Sequence, residues 1–160
     1  VAPSILGGFT VVREDGIESV NADVPLVACL PEIVVSTRNA RGVVPESMGM
    51  SDVVYTVGSA ATMTLGMARN DPVLVGRGMD ERVVTPARAE LITGYEAACD
   101  AARDNGATGV TVSGAGPAIL AVCRSGTRRD VAGAMLDAFD DVDVEARAYR
   151  SRVGDGAEIF

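Results

Sequence analysis

The chain has 160 residues, 48% of them hydrophobic and 4% aromatic, with a formal charge of -8. That length suits one domain, and its core must come from Val, Ala, Leu, Ile and Met. All 14 basic residues are Arg, and His is absent. P-loops, Schiff bases, Ser-His triads and HExxH zinc sites are therefore excluded, while the acidic balance and scarce aromatics speak against nucleic acid.

In chain order, Leu6 to Glu14 reads as a strand, Asp15-Gly16 as a two-residue turn, and Ile17 to Val20 as the hairpin partner. Val24 to Val35, interrupted by Pro25 and Pro31, reads as one or two buried strands. Ser36 or Thr37 caps a short helix through Arg41 toward Val44, which Pro45 ends. Ser51 caps a helix to Arg69. Val53, Val54, Val57, Ala60, Ala61, Thr64, Leu65 and Ala68 recur in it at helical spacing, a stripe expected to face the core. Its uncharged part, Val53 to Ala68, is too short and too rich in Thr, Ser and Gly to span a membrane.

Asp71-Pro72 opens another short helix, and Glu96 to Asn105 forms one that Gly106 ends. Strands follow at Thr108 to Val112 and Ala118 to Cys123. Thr127 caps a helix to Phe139, and Val142 to Arg150 is a strand. The polar tail after Arg152 is expected to fray. The back half thus runs helix, strand, strand, helix, strand. This order predicts an α+β fold, a ferredoxin-like split βαβ two-layer sandwich, preceded by a short β-hairpin. Cys29, Cys99 and Cys123 fit no metal spacing and read as reduced core thiols in a cytosol.

Four stretches carry chemistry. In Ser113-Gly114-Ala115-Gly116-Pro117 the glycines permit positive φ and leave N–H groups uncovered, which suits an anion. A plain tight turn explains the same residues. In STRNAR, Thr37 and Arg41 stand four apart and share a helix face. Arg41 could hold a carboxylate in two-pronged fashion, or simply be solvated. Arg88, in TPAR, sits on the first turn of a helix and is equally readable as a surface arginine. VAPSILGGF reads as a loop entering a strand, with nothing reactive in it.

In this order and at these separations, VAPSILGGF, STRNAR, TPARAEL and VSGAGPAILAV resemble homoserine kinases of the GHMP kinase superfamily. The resemblance covers nearly the whole chain and corresponds to the latter half of that family. SGAGP matches the third, C-terminal motif of the superfamily; STRNAR and PAR match segments more particular to homoserine kinases. The resemblance implies that Thr37, Arg41 and Arg88 lie at the homoserine site, the arginines toward its carboxylate. It places Ser113, Gly114, Ala115, Gly116 and Pro117 near the point of phosphoryl transfer. The implied reaction moves the ATP γ-phosphoryl group to the homoserine hydroxyl with Mg²⁺, a step toward threonine. It also implies residues 1–22 as a remnant of an N-terminal kinase domain and 23–160 as the C-terminal domain.

The family's Gly/Ser-rich nucleotide loop and its short His/Asp/Asn stretch have no match here. The chain is therefore expected to begin within a longer protein, to be inactive alone, and to leave ATP and Mg²⁺ mainly to the missing part. No catalytic base and no metal ligand is assigned. Another GHMP small-molecule kinase, such as a mevalonate or archaeal shikimate kinase, is the near alternative. A non-catalytic amino-acid-binding domain of ferredoxin-like fold is the distant one, and a self-associating structural domain is a third. The expected setting is cytoplasmic, with homoserine as partner, no nucleic acid, no membrane and room for a homodimer. The Lys-free acidic composition fits a halophilic archaeon, although a GC-rich genome also favours Arg over Lys.

Overall fold

The computed structural model describes residues 2–157. Helix α1 (Ala2–Leu6) opens it, and β1 (Phe9–Val12) pairs antiparallel with β2 (Ile17–Val20) as a separate two-stranded sheet. The strand expected from Leu6 starts only at Phe9. Leu6 closes α1, and Gly7 and Gly8 then adopt φ of +68° and +66°, outside any strand. The turn is also shifted. Arg13 N–H donates to Gly16 O at 2.9 Å, so the tip is Glu14-Asp15, one residue earlier than expected.

The main sheet contains β3 (Pro25–Pro31), β4 (Ala107–Val112), β5 (Ile119–Cys123) and β6 (Ala146–Arg152), in the order β4-β5-β3-β6. All its pairings are antiparallel. That is the split βαβ order, with α7 (Arg128–Asp140) returning the chain from β5 to β6. The β3–β4 crossover holds five helices: α2 (Thr37–Gly42), α3 (Met50–Arg69), α4 (Pro72–Gly78), α5 (Val84–Ala89) and α6 (Tyr95–Asp104). One core gathers Val27, Cys29, Val110, Ile119 and Ala121 of the sheet with Cys99 of α6 and Val131, Met135 and Phe139 of α7. A second, smaller core joins Val24, Val122, Met67 of α3 and Val75 of α4. Alternation along β5 makes this division, since Ala121 and Val122 point to opposite faces. Helices therefore cover both faces of the sheet. All three cysteines are buried free thiols, and burial pushes each up to about 11.

Helix α3 forms where expected but faces the other way. Val53, Val54, Val57, Ala60, Ala61, Leu65 and Ala68 are exposed, Val54 at 66% and Val57 at 65%. The inward side is Thr56, Ser59, Met63, Gly66 and Met67. The reason is close backbone approach. A Cβ on Gly66 would stand 2.6 Å from Val75 N, and one on Gly78 would strike the Met63 backbone. Small residues, not a bulky stripe, let α3 and α4 meet this closely. The same device docks α4 on the sheet, where a Cβ on Gly109 would lie 2.5 Å from the Gly76 Cα. Ser51 is inside α3 and caps nothing; Gly49 holds the N-cap position.

Three further boundaries differ. Thr127 precedes α7 but gives the helix no side-chain cap, because its hydroxyl lies 3.2 Å from Gly106 O and 3.0 Å from Arg124 O. The last strand begins at Ala146, since residues 141–143 turn through Asp143 at φ +56°. The tail is held as far as it is described. Gly154 O accepts from Gly8 N–H at 2.8 Å, and Ala157 N–H donates to Ile5 O at 3.0 Å. Val1 of the first motif, and the tail beyond Ala157, lie outside the described residues.

Candidate functional site

The loop Ser113 to Pro117 joins the antiparallel strands β4 and β5. Ser113 N–H donates to Ala118 O at 2.7 Å, and Gly116 N–H to Ser113 O at 3.0 Å. Gly114 and Gly116 take φ of +60° and +80°, and the Gly116-Pro117 peptide is cis. Space is free beside Gly114, so its backbone angle is what calls for glycine. The N–H groups of Gly114 and Ala115 find no acceptor among the described residues. The Ser113 side chain is exposed beside them. Adjacent free N–H groups in a turn form a concavity that favours an anion.

Ser36 caps α2, its Oγ accepting from Asn39 N–H at 3.1 Å. Thr37, the other candidate cap, is thereby left with an exposed side chain, on the same helix face as exposed Arg41. Ala40, fully buried, seats the helix.

Arg88 connects these segments. It sits in the last turn of α5, not the first as expected, because the helix starts before Pro86, at Val84. Its Nε–H donates to Ala40 O at 3.2 Å and its Nη1–H to Gly114 O at 2.7 Å. One guanidinium thus ties STRNAR to SGAGP. A guanidinium has five N–H donors, so three remain for a ligand.

Sequence reasoning missed the support beneath Arg88. Helix α5 has no side-chain cap from its N-cap residue, Val83. The Glu81 carboxylate does that work from two residues upstream, accepting from Val83 and Val84 N–H at 2.7 Å each and from Thr85 N–H at 2.6 Å. Burial works to raise the Glu81 pKa, but these backbone donors, Thr85 foremost, outweigh it and lower the value. On either side of Glu81, Asp80 accepts from the Tyr55 hydroxyl and Arg82 stacks 3.4 Å from the Tyr55 ring centroid. Thr85 and Thr111 hydroxyls pair at 3.0 Å, fixing α5 to β4. An acid shortly before a β-branched run and a proline was the available signal.

VAPSILGGF is engaged elsewhere: Gly7 and Gly8 pack against Gly156 and Val20. Among the described residues, no group of three or more His, Cys, Asp or Glu side chains could hold a metal ion, and no helix is long and apolar enough to cross a membrane.

Residues 63–141 match the family described as GHMP kinases C terminal. The chain is 64% identical over all 160 residues to a homoserine kinase of Natronomonas pharaonis and 63% to one of Haloquadratum walsbyi, covering 55% of each. It thus spans about half the length of the curated relatives it matches. A crystal structure of homoserine kinase from Cytophaga hutchinsonii superposes with a TM-score of 0.91 at 31% identity, over 97% of this chain and 51% of that one. A mevalonate kinase of L. major, at 15% identity and TM-score 0.61, shares the fold. The antiparallel β4-β5-β3-β6 sheet and the family match over residues 63–141 identify a GHMP kinase C-terminal domain, and over its whole length the chain is similar to homoserine kinases.

Proposed function

We propose that the chain provides the acceptor side of a homoserine kinase, which transfers the ATP γ-phosphoryl group to the hydroxyl of L-homoserine. The observation that carries this is Arg88, joined at once to Ala40 O and Gly114 O. An arginine so placed sets a carboxylate-binding helix and a phosphate-binding loop at a fixed separation. The spacing between acceptor and phosphate is what phosphoryl transfer depends on.

In this reading Arg41 and the free donors of Arg88 hold the substrate carboxylate, and Thr37 adds a hydroxyl. Gly114 and Ala115 N–H, with Ser113 Oγ, receive phosphate oxygens. ATP fits the free donors of the loop, and it supplies the phosphoryl group. Mg²⁺ would neutralise phosphate charge, but the described residues gather no ligand set for it. Residues 1–22, whose hairpin pairs with no strand of the main sheet, belong to a first domain and 23–160 to the second. A cytoplasmic homodimer acting on a small molecule, without nucleic acid or membrane, completes the reading.

The test is Arg41→Ala in the full-length protein, assayed with ATP, Mg²⁺ and homoserine. Loss of a charged hydrogen bond of roughly 1.5–3 kcal/mol raises KM about 10- to 150-fold while leaving kcat nearly unchanged. An unchanged KM removes Arg41 from the site. Turnover of mevalonate but not homoserine by the unaltered protein would assign a different acceptor within the superfamily.

A further inference from the structure

Three arginines converge far from that site. Arg128 and Arg129 of α7, Arg150 of β6 and Gly126 line a cavity of about 350 Å³. Arg128 is half-buried and anchored across the two elements, its Nη1–H donating to Ser151 O at 2.9 Å. Arg129 and Arg150 are exposed. Gly126, at φ +85°, has open space where a side chain would stand. No carboxylate lies within 4 Å of the three guanidiniums among the described residues. The ion pairs formed among the described residues are Arg13–Asp15, Arg103–Asp100 and Arg147–Glu32, and none involves these three arginines.

This grouping runs against the chain's charge. Acidic residues outnumber basic ones 22 to 14, yet three cations share one lining with no acid among them. Like charges gathered without a counter-ion repel one another, and the chain has acids in surplus that could have relieved this. Guanidiniums present planar, fixed donors that match phosphate oxygens two at a time. The cavity volume falls at the small end of the range for small-molecule sites.

Topology separates the cavity from the glycine loop. That loop precedes β5 at Ile119, whereas Gly126 and Arg128 follow its other end at Cys123. Five strand residues put the two ends roughly 15 Å apart. We propose that the cavity between α7 and β6 is a second anion site, binding a small phosphate-bearing solute through Arg128, Arg129 and Arg150. This does not rest on the kinase reading.

Titration calorimetry on the full-length protein tests it, with pyrophosphate, inorganic phosphate and O-phosphoserine as separate probes at constant high KCl. The expected result is saturable binding of at least one probe that Arg129→Gln/Arg150→Gln weakens by about tenfold or more. Both side chains are exposed, so folding is not at stake. A Ser113→Ala variant retains this binding, because its change lies at the other end of β5. Preference for O-phosphoserine marks a phosphorylated metabolite, and preference for pyrophosphate or phosphate marks the free anion. Three results overturn the proposal: no saturable binding of any probe, equal binding by the double variant, or binding lost to the loop variant instead. Binding that sulfate reproduces with equal affinity also overturns it, as an adventitious ion only.

Discussion

Glu81→Gln tests whether the site stands on the support inferred for α5. The carboxylate accepts three backbone N–H bonds with two oxygens, at 2.6 to 2.7 Å. Glutamine keeps one acceptor oxygen and no charge, so at least one donor loses its partner and the others weaken. Losing a side-chain cap costs about 0.5–2 kcal/mol, and the position is half-buried, so about 1–2 kcal/mol is expected. In a chain of this size that lowers Tm by roughly 2–8 °C. The pH dependence separates charge from shape. The folded pKa of Glu81 is lowered below 4.5, so its stabilisation is fully present above about pH 4.5 and fades as pH falls through the folded value. The assay is thermal unfolding of both proteins from neutral to acid pH. The gap in Tm should be constant near neutrality and should narrow in acid. A gap of equal size in acid would refute the role of the charge, and no gap at neutral pH would refute the cap itself.

Gly109→Ala places a methyl 2.5 Å from the Gly76 Cα, and neither backbone can yield without moving α4 from β4. Such overpacking costs about 1–3 kcal/mol, and thermal unfolding should show a Tm lower by several degrees. Val57→Asp, at a position 65% exposed, should change the unfolding free energy measured in denaturant by under about 0.5 kcal/mol. If the stripe faced the core, the same change would bury a charge and unfold the chain.

Apart from α1, where VAPSILGGF reads as a loop and Ala2–Leu6 is helical, the order of helices and strands was legible because it rests on local chemistry. Asp71-Pro72 starts α4, with Asp71 Oδ1 accepting from Val73 and Leu74 N–H. Gly106, at φ +105°, ends α6. The split βαβ sheet followed from that order. The facing of α3 was not legible, because periodicity reports which residues share a side and not which side is inward. Gly66 and Gly78 decide it, through a contact with α4 that composition does not announce.

The site was legible in its parts and not in its joint. Ser113 to Pro117 and Ser36 to Arg41 each permit an ordinary structural role, and nothing in either segment requires the other. Arg88 supplies the requirement. Its Nε and Nη1 reach two carbonyls at positions 40 and 114, separated by 74 residues. Backbone carbonyls exist at every residue, so no pattern of side chains could mark those two in advance. Their selection follows from where Glu81 caps α5 and where Thr85 meets Thr111. The arginine visible in the sequence is thus placed by an acid and a threonine pair that are visible only once the chain is folded. On the proposed reading, any change that frees α5 should therefore raise the KM for homoserine in the full-length protein even with Arg88 itself intact.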